Sequence, residues 1–268
     1  MRKSILTVLV IILCSNFLKS QEIEQAKPTG AQEMALKLAN PVAAMISVPF
    51  QFNTMLGVGP YNGSQLVTNF QPVIPFTLGK VTMVTRTIVP FIENRNVLSP
   101  GTTQFGISDV NFTAFFTPTK AGKITWGVGP ALSIPTASKP YFGSEKWEIG
   151  PSAVIMKQTK TGWTYIMLVR QVWSFAGNED RADVNPWFIN PGIAHSFKSG
   201  AGLSVNAEIA GDWKNSGNTQ SYLNLGGSMV SKFGNQLVSF SLAPRIPLSS
   251  ETLGEWGIRA GCVLIFTK

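Results

Sequence analysis

Alternation with a period of two runs through this chain, and its fullest instance is Gly202 to Trp213, GLSVNAEIAGDW. Leu203, Val205, Ala207 and Ile209 alternate with Ser204, Asn206, Glu208 and, further on, Asp212. A strand built from this stretch carries an apolar stripe on one face and carboxylates on the other. The pattern recurs about a dozen times, and no helix accompanies it to cover the apolar faces. A soluble sandwich would turn each stripe inward. A membrane barrel turns it out to lipid and keeps the polar face for the lumen, and the repeated two-faced pattern favours that solution.

Composition agrees. Charged residues are 13% of the 268, about half of the roughly 25% usual in soluble proteins, while 44% are hydrophobic. After the N-terminus no apolar run reaches the roughly 18 residues of a spanning helix. The chain therefore reads as one all-β domain, a transmembrane antiparallel up-and-down barrel spanning residues 42–268, of about twelve strands.

Arg2 and Lys3, the apolar run from Ile5 to Leu13, polar Ser15 and Asn16, and a cut between Ser20 and Gln21 have the layout of a secretory signal peptide over residues 1–20. Leu18 is imperfect in the cleavage box, and bulky Leu13 before Cys14 argues against a lipidation site. Export leads to the outer membrane of a diderm bacterium, where lipid and the barrel-assembly machinery are the implied partners. Loss of Arg2, Lys3 and Lys19 lowers the formal charge of +8 by three. With no basic run interleaved with aromatics, nucleic acid is excluded as a partner. Without Cys14, Cys262 stands alone, which removes disulfides and cysteine metal clusters.

Residues 21–41 read as a periplasmic segment with one short amphipathic helix. Thr29 and Gln32 are spaced as a capping box, Ala31, Met34, Ala35 and Leu38 follow at helical spacing, and Asn40-Pro41 stops the run. The segment could stay in the periplasm, tuck against the barrel mouth or act as a plug.

Strands are predicted at 45–54, 65–77, 80–92, 105–117, 123–134, 146–157, 162–175, 185–198, 202–214, 220–232, 236–247 and 255–267. Short connections alternate with long ones, as periplasmic turns and outer loops do, so both ends of the barrel fall on the periplasmic side. Pro49, Pro72, Pro130, Pro151, Pro191 and Pro244 sit inside these strands without an N–H to donate, and bulges are expected at Gly129-Pro130 and Gly150-Pro151. Trp163 and Trp173 share one face ten residues apart, roughly 25 Å along the membrane normal at a tilt near 40°. Trp163, Tyr165 and Phe197 form an inner interfacial girdle, and Trp173, Phe175, Trp187, Trp213 and Trp256 an outer one.

The inward polar set is Gln51, Asn53, Asn69, Gln71, Asp109, Asn111, Glu148, Arg170, Asn190, Asn206, Glu208, Asp212, Asn224, Ser239, Ser241, Arg245, Glu255 and Arg259, with Arg86 joining it. Strand adjacency predicts Arg86 near Asp109, Glu148 near Arg170, and Arg245 near Glu255 and Arg259. Arg86, Asp109, Glu148, Arg170, Glu208, Asp212, Arg245, Glu255 and Arg259 are the candidate pore-lining and selectivity residues. The same charges could instead stitch a closed interior.

Enzymatic readings are weak. The only histidine, His195, lies on the apolar face beside Trp163, Tyr165, Leu203 and Val205, with no serine in register for a Ser–His pair. Glu208 and Asp212 share one wall of one strand rather than flanking a substrate. One histidine and no carboxylate cluster give no metal site, and no cofactor is expected.

The stretches LANPVAAMISVPFQFN (38–53), QPVIPF (71–76), RTIVPFI (86–92), GISDVNFTAFFTP (106–118) and VWSFAG (172–177) resemble, in this order, a bacterial outer-membrane family labelled for the MetA pathway of phenol degradation and often misnamed neuromedin U. The resemblance runs from about Leu38 to the C-terminus. It implies an outer-membrane barrel passing small organic, including aromatic, solutes, and supplies no catalytic residues. Phe266 fits the aromatic ending of such barrels, although Thr267 and Lys268 follow it. The reading is a channel or transporter for small organic solutes, with a closed structural or adhesion barrel as the alternative. The solute and the oligomeric state are open at this level.

Overall fold

The computed structural model describes residues 30–120, 122–215 and 219–266. The expected signal peptide, Thr29 of the expected capping pair, Thr267 and Lys268 lie outside the described residues. Twelve antiparallel strands follow one short helix, α1 (Gly30–Leu38). They are β1 (Ile46–Val58), β2 (Gly63–Phe70 with Val73–Leu78), β3 (Val81–Arg95), β4 (Thr103–Ile107 with Val110–Pro118), β5 (Thr125–Ile134), β6 (Lys146–Gln158), β7 (Trp163–Gln171 with Trp173–Gly177), β8 (Pro186–Ser196), β9 (Ala201–Asp212), β10 (Gln220–Phe233), β11 (Gln236–Pro247) and β12 (Trp256–Phe266). Each strand pairs with its sequence neighbours, and β1 closes on β12 from Ile46↔Phe266 to Leu56↔Trp256. Closure of β1 on β12 removes the two free edges an open sheet would have, as a spanning sheet requires because lipid cannot satisfy backbone groups, and one-sided pairing is left at strand-end pieces such as Thr103–Ile107 and Trp173–Gly177.

Alternation survives in side-chain exposure. On β9, Leu203 and Val205 face out, 59% and 41% exposed, and on β11 so do Phe240 and Leu242. Buried Asn224, Ser239 and Arg245 take the opposite face. Apolar side chains with this much exposure on every side would be untenable in water and are at home in lipid.

The prolines act differently from the expectation. No register shift occurs at Gly129-Pro130 or Gly150-Pro151; Pro130 and Pro151 stand opposite each other, and β5–β6 pairing runs through them unbroken. Their missing N–H groups are felt on the far sides. Pairing of β4 with β5 lapses between Thr113↔Ala131 and Phe116↔Val128, and β7 is interrupted between Gln171 and Trp173, opposite Pro151. Similarly β8–β9 pairing lapses beside Pro191, where the Asn190 side-chain amide donates to the Ala207 carbonyl at 2.7 Å in place of the absent N–H. The register shifts fall instead at Leu56/Val58 and Ser174/Ala176. Strands β1 and β2 also run further outward than predicted, to Val58 and from Gly63, so the first outer loop is only the turn 59–62.

Helix α1 sits at the short-turn end. It lies against β8, β9 and β10, and Gln32 donates from Nε2 to the Ser196 carbonyl at 2.6 Å. Gln158 on β6 donates to the Leu36 carbonyl at 2.8 Å, meeting one of the helix's terminal acceptors. Two turn glycines permit this approach. Gly162 has φ +97°, and a Cβ there would lie 2.7 Å from the Gln32 amide nitrogen; Gly200 has φ +86°, with its Cβ site 3.1 Å from Ala31 Cβ. Past the helix, Asn40 Oδ1 accepts from the Val42 N–H at 3.0 Å. That turn aims Val42 into the barrel, where it packs with Val84, Phe115, Val154 and Leu168. The chain just after the helix thus reaches into the lumen at Val42.

Candidate functional site: the barrel interior

Two cavities share the interior. The one nearer α1, about 410 Å³, is lined in part by Ala35, Asn40, Ser47, Ile166, Ser196 and Ser228. The central one, about 330 Å³, is lined by polar Gln51, Asn53, Asn69, Asn111, Arg170, Glu208, Tyr222, Arg245 and Arg259, interleaved with apolar Met55, Val67, Ile88, Phe115, Leu168 and Phe188. Gln71, Arg86 and Leu168 border both cavities and so mark the partition between them.

Inward residues come from alternate positions on each strand, but the contacts they make cross the lumen. Glu208 on β9 is the hub. Arg259 on β12 donates to it from Nη1 at 2.6 Å and from Nη2 at 2.7 Å, and Arg245 on β11 donates from Nη1 at 2.7 Å. Arg259 Nε also donates to Asn53 on β1 at 2.6 Å. Arg245 donates to Asn224 at 3.2 Å and lies 3.7 Å over the Tyr222 ring, and Asn224 donates to Asn206 at 3.0 Å. These groups are only 10–20% exposed, so each ion pair is screened far less than one on a surface.

On the opposite wall, Arg170 on β7 donates to Asn111 on β4, and from Nη2 to Ser133 Oγ on β5 at 2.6 Å. Its Nε is buried with no hydrogen-bond partner among the described residues. Arg86 on β3 donates to Gln71, whose amide donates to Gln51 at 3.1 Å.

Strand adjacency had suggested other partners, and the structure corrects them. Arg86 meets Gln71 rather than Asp109. The Asp109 carboxylate accepts from the backbone N–H groups of Ala137 and Ser144 at 3.1 and 2.7 Å, so it ties down the outer loop 135–145. Glu148 accepts from Ser144 Oγ at 2.9 Å and is within electrostatic reach of Arg170 without bonding it. Asp212 accepts from the Asn185 and Lys214 N–H groups at 2.9 and 2.8 Å, again fixing loops. Glu255 is exposed at the β12 end, its side chain against Gly57, and takes no ion pair with Arg245 or Arg259. Acidic groups at strand ends meet unsatisfied loop N–H donors before they meet the lumen. Ser133 and Tyr222 belong to the contacts of this site although the sequence reading did not place them inward, and Gln71, placed inward, was not among the selectivity candidates; Tyr222 shares parity with inward Asn224, the signal that could have found it.

The aromatics group at two levels on the outer surface. Trp163 stacks near Tyr165 at 6.4 Å and meets the His195 ring at 4.7 Å, with Phe197 beyond it at 4.6 Å. At the other end Trp187 and Trp213 rings are 5.6 Å apart, and Trp213 Nε1 donates to Gln171 at 2.8 Å. Trp173 and Trp256 are exposed, and Trp126 and Trp147, unplaced by the sequence reading, are exposed too. His195 donates from Nε2 to the Thr161 carbonyl at 3.1 Å. An imidazole held among aromatics and a turn carbonyl has the surroundings of an interfacial residue rather than of a general base. Among the described residues no group of three or more His, Cys, Asp or Glu is placed to hold a metal ion.

The fold and this interior define a transmembrane β-barrel of the outer-membrane type. No protein-family model matches the sequence, and no curated protein does. Among solved structures, the COG4313 outer membrane channel from Pseudomonas putida F1 is similar at TM-score 0.62 and 13% identity, over 85% of this chain and 99% of that one. Looser likenesses, at TM-scores of 0.48 and 0.45 and 11% identity, are to outer membrane phospholipase A from Escherichia coli and to the CymD monoaromatic hydrocarbon channel. They cover 90% and 92% of this chain and 98% and 95% of those. At this level of identity the comparisons speak to fold alone.

Proposed function

We propose that this protein is an outer-membrane channel that passes small organic solutes through the barrel interior. The observation that carries the reading is the pair of cavities along the lumen, with Gln71, Arg86 and Leu168 bordering both. Apolar Ile88, Phe115, Leu168 and Phe188 beside polar groups suit an organic body better than a bare ion. The similar fold of a barrel described as an outer membrane channel is consistent with this, as is the motif resemblance to the MetA-pathway family. Export by the N-terminal signal, insertion by the assembly machinery and residence in outer-membrane lipid belong to the same proposal, as does the role of Arg86, Arg170, Glu208, Arg245 and Arg259 in selecting what passes.

One observation favours a second reading. The Arg259–Glu208 contact and the α1 segment both obstruct the lumen, as a closed structural barrel would require. Liposomes containing the purified protein separate the two. A channel lets phenols and small carboxylates through faster than empty liposomes, with small sugars as the polar comparison; uptake no faster than in empty liposomes for every solute establishes the closed barrel.

A further inference from the structure

The central cavity carries more positive charge than its own carboxylate neutralises. Among the described residues that line it, four are arginines, Arg86, Arg170, Arg245 and Arg259, and one is acidic, Glu208. Arg245 and Arg259 share that single carboxylate. Arg86 and Arg170 have only neutral acceptors, the oxygens of Gln71, Asn111 and Ser133. Arg170 also keeps a buried Nε with no partner. Counting Glu148, within electrostatic reach of Arg170 but outside the lining, still leaves the cavity cationic.

Guanidinium groups held away from bulk water with no carboxylate bonded to them leave part of their desolvation cost uncompensated, and an anion entering the cavity offsets it. The low-dielectric wall concentrates that attraction. Arginine suits a carboxylate in particular, since its planar fork meets two oxygens at once. The strands that carry Arg86 and Arg170, with their neighbours, also supply Ile88, Phe115, Leu168 and Phe188, a surface for an apolar body and not for a hydrated inorganic ion. A volume of about 330 Å³ lies at the lower end of the roughly 300–1,000 Å³ of small-molecule sites.

We propose that the central cavity is a binding site for a small organic carboxylate, its head on Arg170 and Arg86 and its apolar body against Phe115, Leu168 and Phe188. This deepens the channel reading and rests on it for the ligand's passage. Occupancy would draw Arg86 from Gln71, and the partition between the two cavities would then change with the ligand that is crossing.

Benzoate and its neutral counterpart benzamide are the probes, titrated by calorimetry into the full-length barrel in detergent micelles. Benzoate should bind at least about tenfold more tightly than benzamide, the margin of one charge-assisted hydrogen bond. Arg170→Gln and Arg86→Gln should each remove most of that margin, and Arg170→Lys should keep part of it. Equal affinity for the two probes, or no benzoate binding, overturns the proposal without recourse to any variant that fails to fold. In planar bilayers the same protein should favour chloride over potassium, less so as Arg86→Gln. If benzoate binds but no current passes under any condition, the channel reading fails while the carboxylate site stands.

Discussion

Glu208 and Arg259 meet through two parallel hydrogen bonds of 2.6 and 2.7 Å that pass over β10 and β11 to join β9 to β12. A bidentate pair of this kind fixes both side chains in one geometry, and here it fixes a chord of the lumen. Glu208→Gln strands two guanidiniums at once and should destabilise the barrel by about 3–5 kcal/mol. Arg245→Gln leaves the Arg259 pair intact and should cost less, about 1.5–3 kcal/mol for its bond to a charged partner. Urea unfolding of the two variants, followed by heat-modifiable migration on gels, orders them; an equal loss for both would mean that Arg259 does not hold Glu208 by itself.

What the sequence made legible was the wall. Leu203, Val205 and Ala207 against Asn206 and Glu208 declare two faces, and the alternation of short and long connections orders the strands, because both are consequences of local periodicity. The interior was legible only by parity. Arg245 was matched to Glu255 because adjacent strands were assumed to trade partners, yet a long arginine in an open lumen reaches Glu208 instead, and Arg259 crosses two strands to do so. Asp109 and Asp212 were drawn away by backbone N–H donors of loops whose conformation no period encodes. Val42 was invisible for the same reason: a short apolar stretch after Asn40-Pro41 has neither period, and only the assembled barrel offers it Phe115 and Leu168.

The lipid face of β9 can be tested one residue at a time. Ala207→Arg puts a cation in the apolar band and should cost about 2–4 kcal/mol. Asn206→Arg points into the lumen beside Glu208 and loses chiefly the 3.0 Å bond from Asn224, about 1 kcal/mol. Unfolding midpoints in lipid vesicles give both numbers; equal costs would reverse the assignment of faces on this strand.

Loop order at the outer rim should depend on pH through Asp183. Its carboxylate accepts from Lys214 Nζ at 3.0 Å, lies 3.4 Å from Lys146 Nζ and accepts from Ser174 Oγ at 3.2 Å. The Lys214 hydrogen bond first, then Lys146, holds this carboxyl below its ordinary value. A depressed acid stabilises the folded loop above its unfolded value and loses that contribution as pH falls through the lowered one. Protease cutting within 178–185 should therefore stay constant down to the ordinary carboxylate range and rise only below it. Asp183→Asn should cut at the faster rate at every pH; a wild-type rate that rises already near neutrality would assign the control to another group.

The α1 segment offers a direct test of what obstructs the lumen. Its anchors are of two kinds, the Gln32–Ser196 and Gln158–Leu36 hydrogen bonds at the rim and the apolar contact of Val42 inside. Val42→Asp sets a carboxylate among Val84, Phe115, Val154 and Leu168, a burial that costs several kcal/mol unless the segment leaves. The barrel wall takes no part in that contact through its backbone, so the wall should remain folded while residues 30–45 swing out. Two measurements follow the change: protease access at Lys37 should increase, and single-channel conductance should rise above the wild-type value. Gln32→Ala, which removes a rim bond but leaves Val42 seated, should move both in the same direction by a smaller amount. Full release of the segment with conductance unchanged would place the closure elsewhere, at Gln71, Arg86 and Leu168, and would make the partition between the two cavities the gate.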